Sequence, residues 1–302
     1  MRVRVPASSA NLGPGYDTFG LALALHNTVE AELADEWRVE VRGEGAGQLS
    51  AGPDNQVAVA MARVFAEAGQ DGRAADVVCH NGIPVGRGLG SSSAAIVAGL
   101  VLGDALCGAR LGRDRLLQIA AELEGHADNV AAALHGGFTV VAVGPEGVIC
   151  APVEPAGGLA VIAVLGEHEL PTAESRKALP AVVAHDAASG NAAHAALVAL
   201  GIALGDARLT SAGLHDAIHE SHREALVPDL PKVRTLFEAA GIGPVVLSGA
   251  GPSLVTLVHG TDDAAALETA RRHAEDVRPL LDAIGRSRVL ALGIDRSGAV
   301  LA

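Results

Sequence analysis

Aromatic side chains are scarce: one Trp, one Tyr and four Phe in 302 residues. The core must therefore be built from Ala, Val, Leu and Ile. Lysine occurs only at Lys177 and Lys232, so no glycine-rich stretch ends in the GK[ST] of the common nucleotide-binding loop. The three cysteines, Cys79, Cys107 and Cys150, never stand as CxxC, which points to reduced, buried thiols rather than a disulfide framework. Basic residues number 22 against 35 acidic ones, for a formal charge of −13. Nucleic acid and anionic membrane surfaces are excluded as partners by that balance, because phosphodiester backbones are bound by clustered Lys and Arg. A small phosphorylated ligand needs only a few local donors. No apolar run reaches the ~18 residues of a membrane span, and the opening "MRVRVPASSANLGPG" has no apolar segment of a secretory signal. A cytoplasmic protein without a membrane segment is expected.

What is present is globular: 49% of residues are hydrophobic and 19% charged, with length for one large domain or two ordinary ones. Alternation predicts an exposed strand in "RVRVPA" ending at Pro6, then strands in "LALALHNTVEAEL" and "WRVEVRGEG". Helical spacing with a glycine stop predicts a helix from Asn55 to Gly69. "ADVVCHNGIP" reads as a strand, Ser91 to Leu106 as a buried helix, Asp114 to Gly125 as another helix and "GGFTVVAV" as a strand. Around "PEGVICAPVEPAGG" the periodicity lapses, which places a domain boundary near residue 155 and gives domains 1–155 and 156–302. Beyond it come strand "LAVIAVL", Ala-rich helices from about Pro180 to Ala225, helix "VRTLFEAAG", strands "PVVLSG" and "SLVTLVHG", a helix from Thr261 to Ile284 and a closing strand "SRVLALGID". Without steady βαβ alternation the class is α+β.

Three stretches ask for a ligand. In "IPVGRGLGSSSAAIVAGL", Gly86, Gly88 and Gly90 free the backbone for positive φ, and a helix starts at the serines. Its unpaired N–H groups and positive dipole end make an anion seat, with Ser91 and Ser92 the best hydroxyls and Ser93 next. A tight strand-to-helix turn with serine caps explains the same residues. In "PASSANLGPGYD", Asn11 and Asp17 bracket a turn that presents an amide and a carboxylate towards a cleft, or forms an Asx-capped bend. In "VLSGAGPSLV", buried strand ends flank a small-residue tip around Gly249 that approaches something closely, or simply closes a hairpin. Between these lies "AELEGHADNVAAALHGG", where Glu122, Glu124, His126, Asp128 and Asn129 fall at a helix end and the loop after it. His126 and His135 are too far apart to argue for zinc. Magnesium held by one carboxylate and ligand phosphates asks for less, and Glu122 would serve.

The order "SSANLGPGYD", "PVGRGLGSSSA", "SGAGPS" resembles the three motifs of the GHMP kinase superfamily. The "PASSANLGPGYD" opening and the "GHADNVAAALHGG" segment are most similar to its homoserine kinase family, and the resemblance runs from about Val3 to Val258. It implies a two-domain GHMP fold, an S5-like N-terminal domain and a ferredoxin-like α/β-plait C-terminal one. It implies ATP and magnesium as cofactors, L-homoserine as acceptor, O-phospho-L-homoserine as product and a homodimer. The ATP phosphates would lie on Pro84, Val85, Gly86, Arg87, Gly88, Leu89, Gly90, Ser91, Ser92, Ser93 and Ala94, with Asn55 of "GPDNQVAVA" near the adenine. Ser91 and Glu122 would hold the metal, with Glu124 the alternative. The acceptor would meet Asn11, Asp17, His126, Asp128 and Gly249. It would also meet Thr172 and Arg176 of "LPTAESRKALP" and Arg223 of "HESHREALVP". Two arginines suit an α-carboxylate, and Asp17 or Asp128 suits an α-ammonium. Catalysis would rest on Ser91, Glu122 and Asp128. With no lysine in any motif, no strong dedicated base is expected, and the proton would pass to phosphate oxygen or water, Asp128 being the best residual base. The sequence departs from the pattern at Ser93, at Ala127 where "GHPDN" is common, at "SGAGPS" for "SGSGPS", and at His80, which leaves the adenine-side contacts open. Rival implications are a mevalonate-type or sugar kinase, or a non-catalytic ligand-binding regulator.

Overall fold

Apolar–polar alternation builds the first sheet, and the computed structural model describes it with the rest of the chain from Met1 to Ala302. Strand β1 (Arg2–Asn11) runs antiparallel to the long β2 (Gly15–Ala34). Strand β4 (Ala74–Asn81) lies beside β2, and β3 (Arg38–Gly43) pairs with β4 in parallel. A hairpin of β5 (Phe138–Gly144) and β6 (Gly147–Val153) joins β2 along Phe19–Leu21. The second sheet has the order β10-β7-β9-β8, from β7 (Leu159–Val164), β8 (Val246–Leu247), β9 (Leu254–His259) and β10 (Val289–Gly293). Strand β11 (Val300–Leu301) returns to the first sheet and pairs with β1, so the last residues leave the second half of the chain for the first.

Helices α1 (Gln56–Glu67), α2 (Ser91–Cys107), α3 (Gly112–Glu124) and α4 (Asp128–His135) belong to the first half. The Asn55 side chain caps α1 by accepting from Val57 N–H. Glycine spacing sets how closely α2 lies on α1: a Cβ at Gly99 would collide with Val57 O, and one at Gly103 would press on Met61 and Val64. That close approach fixes the start of α2, where the glycine loop ends. In the second half come α5 (Thr172–Lys177), α6 (His185–Leu204), α7 (Ala207–Gly213), α8 (Glu220–Arg223), α9 (Leu230–Ala239) and α10 (Asp263–Asp282).

Several expectations change. The first strand does not end at Pro6 but continues to Asn11, because Ser8 and Ser9 are fully buried and partnered by other segments. "PASSANLGPGYD" is therefore the end of a strand and a tight turn into β2, closed by Asp17 N–H on Asn11 Oδ1 as the Asx-capped bend that the sequence offered. After Glu124 the expected loop is only Gly125–Ala127, which carries His126, and Asp128 and Asn129 already belong to the next helix, α4. The lapse of periodicity at 145–155 hides β6, a half-exposed edge strand whose alternation is weak. The Ala-rich region breaks after Leu204 and Gly213 into α6, α7 and α8. Helix α6 also meets the length and composition of a membrane span, contrary to the reading of the runs, yet it buries Asn191, Val198, Gly201 and Ile202 on one side.

Candidate active site

The three motifs converge at the junction of the sheets. Ser8 N–H donates to Leu89 O at 3.1 Å, Gly249 N–H to Ala10 O at 3.0 Å, and Asn11 Nδ2 to Gly249 O at 2.7 Å. Ser248 Oγ lies 2.6 Å from Gly88 O and 2.9 Å from Ser9 Oγ. The glycines are required by this crowding. A Cβ at Gly88 (φ +75°) would meet Ser248 O and stand 2.8 Å from Gly251 O, and one at Gly90 (φ +69°) would collide with Ser8 Oγ.

Gly90 precedes the first turn of α2, so the main-chain N–H groups of that turn face the end of the loop. Ser91 and Ser92 line a cavity of about 340 Å³ with Asn55, Gly86, Val85, Cys79 and Val41, a recess of a size and polarity that suit a purine. Asn55 is mostly spent on its own chain, since Nδ2 also donates to Ser50 O at 2.8 Å. Arg87 points its guanidinium elsewhere, to Gly166 O of the second half. Of the loop's remaining members, Leu89 and Ala94 are fully buried, so their side chains serve packing.

Glu124, not Glu122, faces the serines. Its oxygens accept from Ser92 Oγ at 2.7 Å and Ser93 Oγ at 2.8 Å. Glu122 lies on the far side of α3, its side chain 56% exposed, 3.4 Å from Arg63 and 3.8 Å from Arg115. One carboxylate flanked by serine hydroxyls, beside N–H groups that attract phosphate, is the hard-oxygen set that fits magnesium.

On the acceptor side, His126 Nδ1 bonds Asp128 Oδ1 at 2.7 Å, and the same oxygen accepts from Asn129 N–H at 2.7 Å. His126 Nε2 is 3.8 Å from Glu124. Burial works to lower the His126 pKa, but the hydrogen bond and charge of Asp128, with Glu124, outweigh it and the net shift is upward. Arg176 pairs with Asp17, and Thr172, one turn earlier on α5, is exposed. Arg223 is 2% exposed and has no carboxylate within ion-pair distance. Its guanidinium contacts His219 Nδ1 at 3.1 Å, Gly249 O at 3.3 Å and Ser175 O at 3.4 Å, and burial pulls its pKa down. Asp17 and Asp216 favour its charge from a distance without pairing with it, and a buried guanidinium with no carboxylate in contact is a seat for an arriving anion.

Four further residues complete the site. Tyr16, the one tyrosine, has the Arg176 and Arg223 guanidinium carbons at 5.7 and 5.4 Å from its ring centroid. Its phenol accepts from Arg176 Nη1 at 2.8 Å. Burial, then the charge of Asp17, raises its pKa. Fully buried His219 bonds Gly13 O through Nε2 at 2.8 Å, which leaves Nδ1 to accept from Arg223; burial lowers its pKa and keeps it neutral. Ser8 Oγ donates to Asn129 Oδ1 at 2.9 Å, tying the first motif to α4. Asn129 already stood in the "AELEGHADN" cluster and Ser8 in the "PASSANLGPGYD" motif, whereas Tyr16 was signalled only by its adjacency to Asp17 and His219 by nothing.

The GHMP kinases N terminal domain matches residues 55–137, and the GHMP kinases C terminal domain matches residues 193–276. Homoserine kinase of Streptomyces avermitilis is 38% identical over 294 residues, 95% of each chain. The chain belongs to the homoserine kinase family of the GHMP kinases. Homoserine kinase of Moorella thermoacetica is likewise 38% identical, over 85% of this chain and 87% of its own. The crystal structure of homoserine kinase from Cytophaga hutchinsonii superposes with a TM-score of 0.87 at 26% identity, covering 100% of this chain and 97% of that one. Membership of this family makes the chain a phosphotransferase with the two-domain GHMP fold.

Proposed function

We propose that the protein transfers the γ-phosphoryl group of ATP to the side-chain hydroxyl of L-homoserine, giving O-phospho-L-homoserine and ADP, a step of threonine biosynthesis. The observation that carries this reading is Arg223: a buried cation without a carboxylate, beside Arg176 and Tyr16, close to a glycine loop that opens a helix. An amino-acid carboxylate is the anion that two guanidiniums hold bidentately, and Asp17 is the group for its ammonium.

The nucleotide's phosphates rest on main-chain N–H groups of the loop and of the first turn of α2, which do the work of a lysine. Magnesium, held by Glu124 with the Ser91–Ser93 hydroxyls, neutralises phosphate charge when bound. Residues 1–155 thus bind the nucleotide, and 156–302 supply the arginines. Asn11, with Nδ2 on Gly249 O and Oδ1 accepting from Asp17 N–H at 3.0 Å, keeps the acceptor groups in register. His126 fixes Asp128, which orients the acceptor hydroxyl; its proton leaves to phosphate oxygen or water. Positioning and charge neutralisation carry the catalysis.

The protein acts in the cytoplasm as a homodimer. The apolar surface such a dimer would cover is the last turn of α6, where Leu200 is 51% and Leu204 68% exposed. ADP release measured with L-homoserine, serine, threonine, mevalonate and galactose tests the assignment. Selective turnover of L-homoserine is expected; preference for mevalonate or galactose, or no turnover, refutes it.

A further inference from the structure

Between the nucleotide loop and the acceptor arginines runs a strap, Gly166 to Ser175, whose contacts the mechanism above does not use. It leaves β7, follows the outer side of the glycine loop and enters α5. Arg87 Nη1 donates to Gly166 O. Gly166 N–H reaches Ser253 Oγ at 3.3 Å, and Gly166 lies so close to Pro252 that a Cβ would overlap the ring. Leu170 N–H donates to Gly86 O at 3.2 Å, with the Glu169 side chain packed over Gly86. Further along, Ser175 Oγ donates to Ala250 O at 3.0 Å and Ser175 O accepts from Arg223 Nε. The next residue is Arg176, on Asp17.

The strap is thus fastened to the phosphate loop at one end and to both arginines at the other. Hydrogen bonds are directional, so the peptide planes around Gly86 cannot turn without moving Leu170. A triphosphate seated on the loop's N–H groups fixes those planes, and with them the entry to α5. Arg87 is the one side chain of the loop that grips the strap.

We propose that Arg87 is a positioning residue whose bond to Gly166 couples the two substrate sites, so that nucleotide and amino acid strengthen each other's binding. This rests on the kinase reading. Coupling of this kind is reciprocal: each ligand tightens the other by the same factor.

Calorimetric titration of the full chain tests it, with L-homoserine titrated with and without a magnesium-loaded, non-hydrolysable ATP analogue, and the analogue with and without homoserine. The expected wild-type factor is about 5-fold or more, equal in both directions. It falls to about one in Arg87→Gln while homoserine binds the nucleotide-free protein as before. Arg87→Lys, whose ammonium can donate to the same carbonyl, restores part of it. A wild-type factor of one, or a factor unchanged in Arg87→Gln, overturns the proposal. So does weaker analogue binding with coupling intact, which would assign Arg87 to the phosphates. So, too, does a joint fall of both affinities and of the thermal midpoint, which would make the contact merely structural. Failure of homoserine to bind the wild type under any condition would instead refute the kinase reading itself.

Discussion

Arg176 and Asp17 hold each other side by side: Nη1 is 2.9 Å from Oδ2, and Nη2 is 2.6 Å from Oδ1. The pair joins the two groups assigned to opposite ends of one amino acid, so each stands in for the charge the other awaits. Both side chains are more than a third exposed, 36% and 39%, and a pair so placed contributes about 0–1 kcal/mol. A zwitterion that offers a carboxylate to Arg176 and an ammonium to Asp17 opens it at little cost.

Asp17→Asn should therefore change selectivity more than turnover. The substitution removes the ammonium's partner, so kcat/KM for homoserine should fall on the order of tenfold or more, the worth of one charged hydrogen bond. The value for 4-hydroxybutyrate, which has no amine, should change much less. Comparing the two kcat/KM values checks this; an unchanged ratio would remove Asp17 from ammonium recognition.

Arg223→Leu should separate binding from stability. Loss of one partner in a desolvated charged contact costs about 2–5 kcal/mol, so homoserine affinity should drop at least on the order of 30-fold, with ATP affinity within about threefold. The free protein loses a buried charge that lacks a carboxylate, so its thermal midpoint should hold or rise. Equal losses for both substrates, or a steep fall in midpoint, would contradict the assigned role.

Glu124→Gln should raise the magnesium concentration needed for half-maximal activity, whereas Glu122→Gln should leave it unchanged. Glu122 carries only exposed pairs with Arg63 and Arg115, of the kind that contribute less than about 1 kcal/mol. A magnesium titration of both variants decides the matter, and the reverse pattern would restore Glu122.

Gly88→Ala should abolish nucleotide binding, because its methyl would run into the carbonyls of Ser248 and Gly251. Gly69→Ala is the control: φ is similarly positive (+67°) but the space is open. It should cost only about 1–2 kcal/mol of stability, the left-handed backbone penalty, and leave ATP binding intact. Fluorescent-nucleotide titration with thermal denaturation distinguishes the two.

The His126–Asp128 contact should show in the pH dependence of stability. The folded pKa of His126 is raised above that of the unfolded chain. The stabilisation from its imidazolium is then fully present below about pH 6.5 and is lost as pH rises through the higher folded value. The gap in thermal midpoint between wild type and His126→Asn should accordingly be widest in mild acid and narrow above neutrality. A gap independent of pH would mean that folding does not shift the pKa of this imidazole.

How much of this the sequence disclosed varies by residue. The buried helix after the glycine loop was legible from its long run of small and aliphatic residues, and the helix within Asn55 to Gly69 from its helical spacing and glycine stop. Ser8 and Ser9 misled because polar side chains normally mark a loop; here they are buried and bonded to Asn129 and Ser248. Residues two apart on a helix point roughly 200° apart, so Glu122 and Glu124 face opposite ways and spacing alone could not choose between them. His219 acts through contacts with Gly13 and Arg223, of which the first is made only by the folded chain. Edge strand β6 escaped because an exposed hairpin needs no apolar face.

The central claim is that main-chain donors hold the triphosphate while the arginines read the amino acid. Its most direct test is a crystal structure with a non-hydrolysable ATP analogue, magnesium and L-homoserine bound together. The account predicts phosphates against the N–H groups of Gly88 to Ser92, metal beside Glu124 and the homoserine carboxylate on Arg223. A triphosphate bound away from that loop, or an amino group turned towards Arg223, would contradict it.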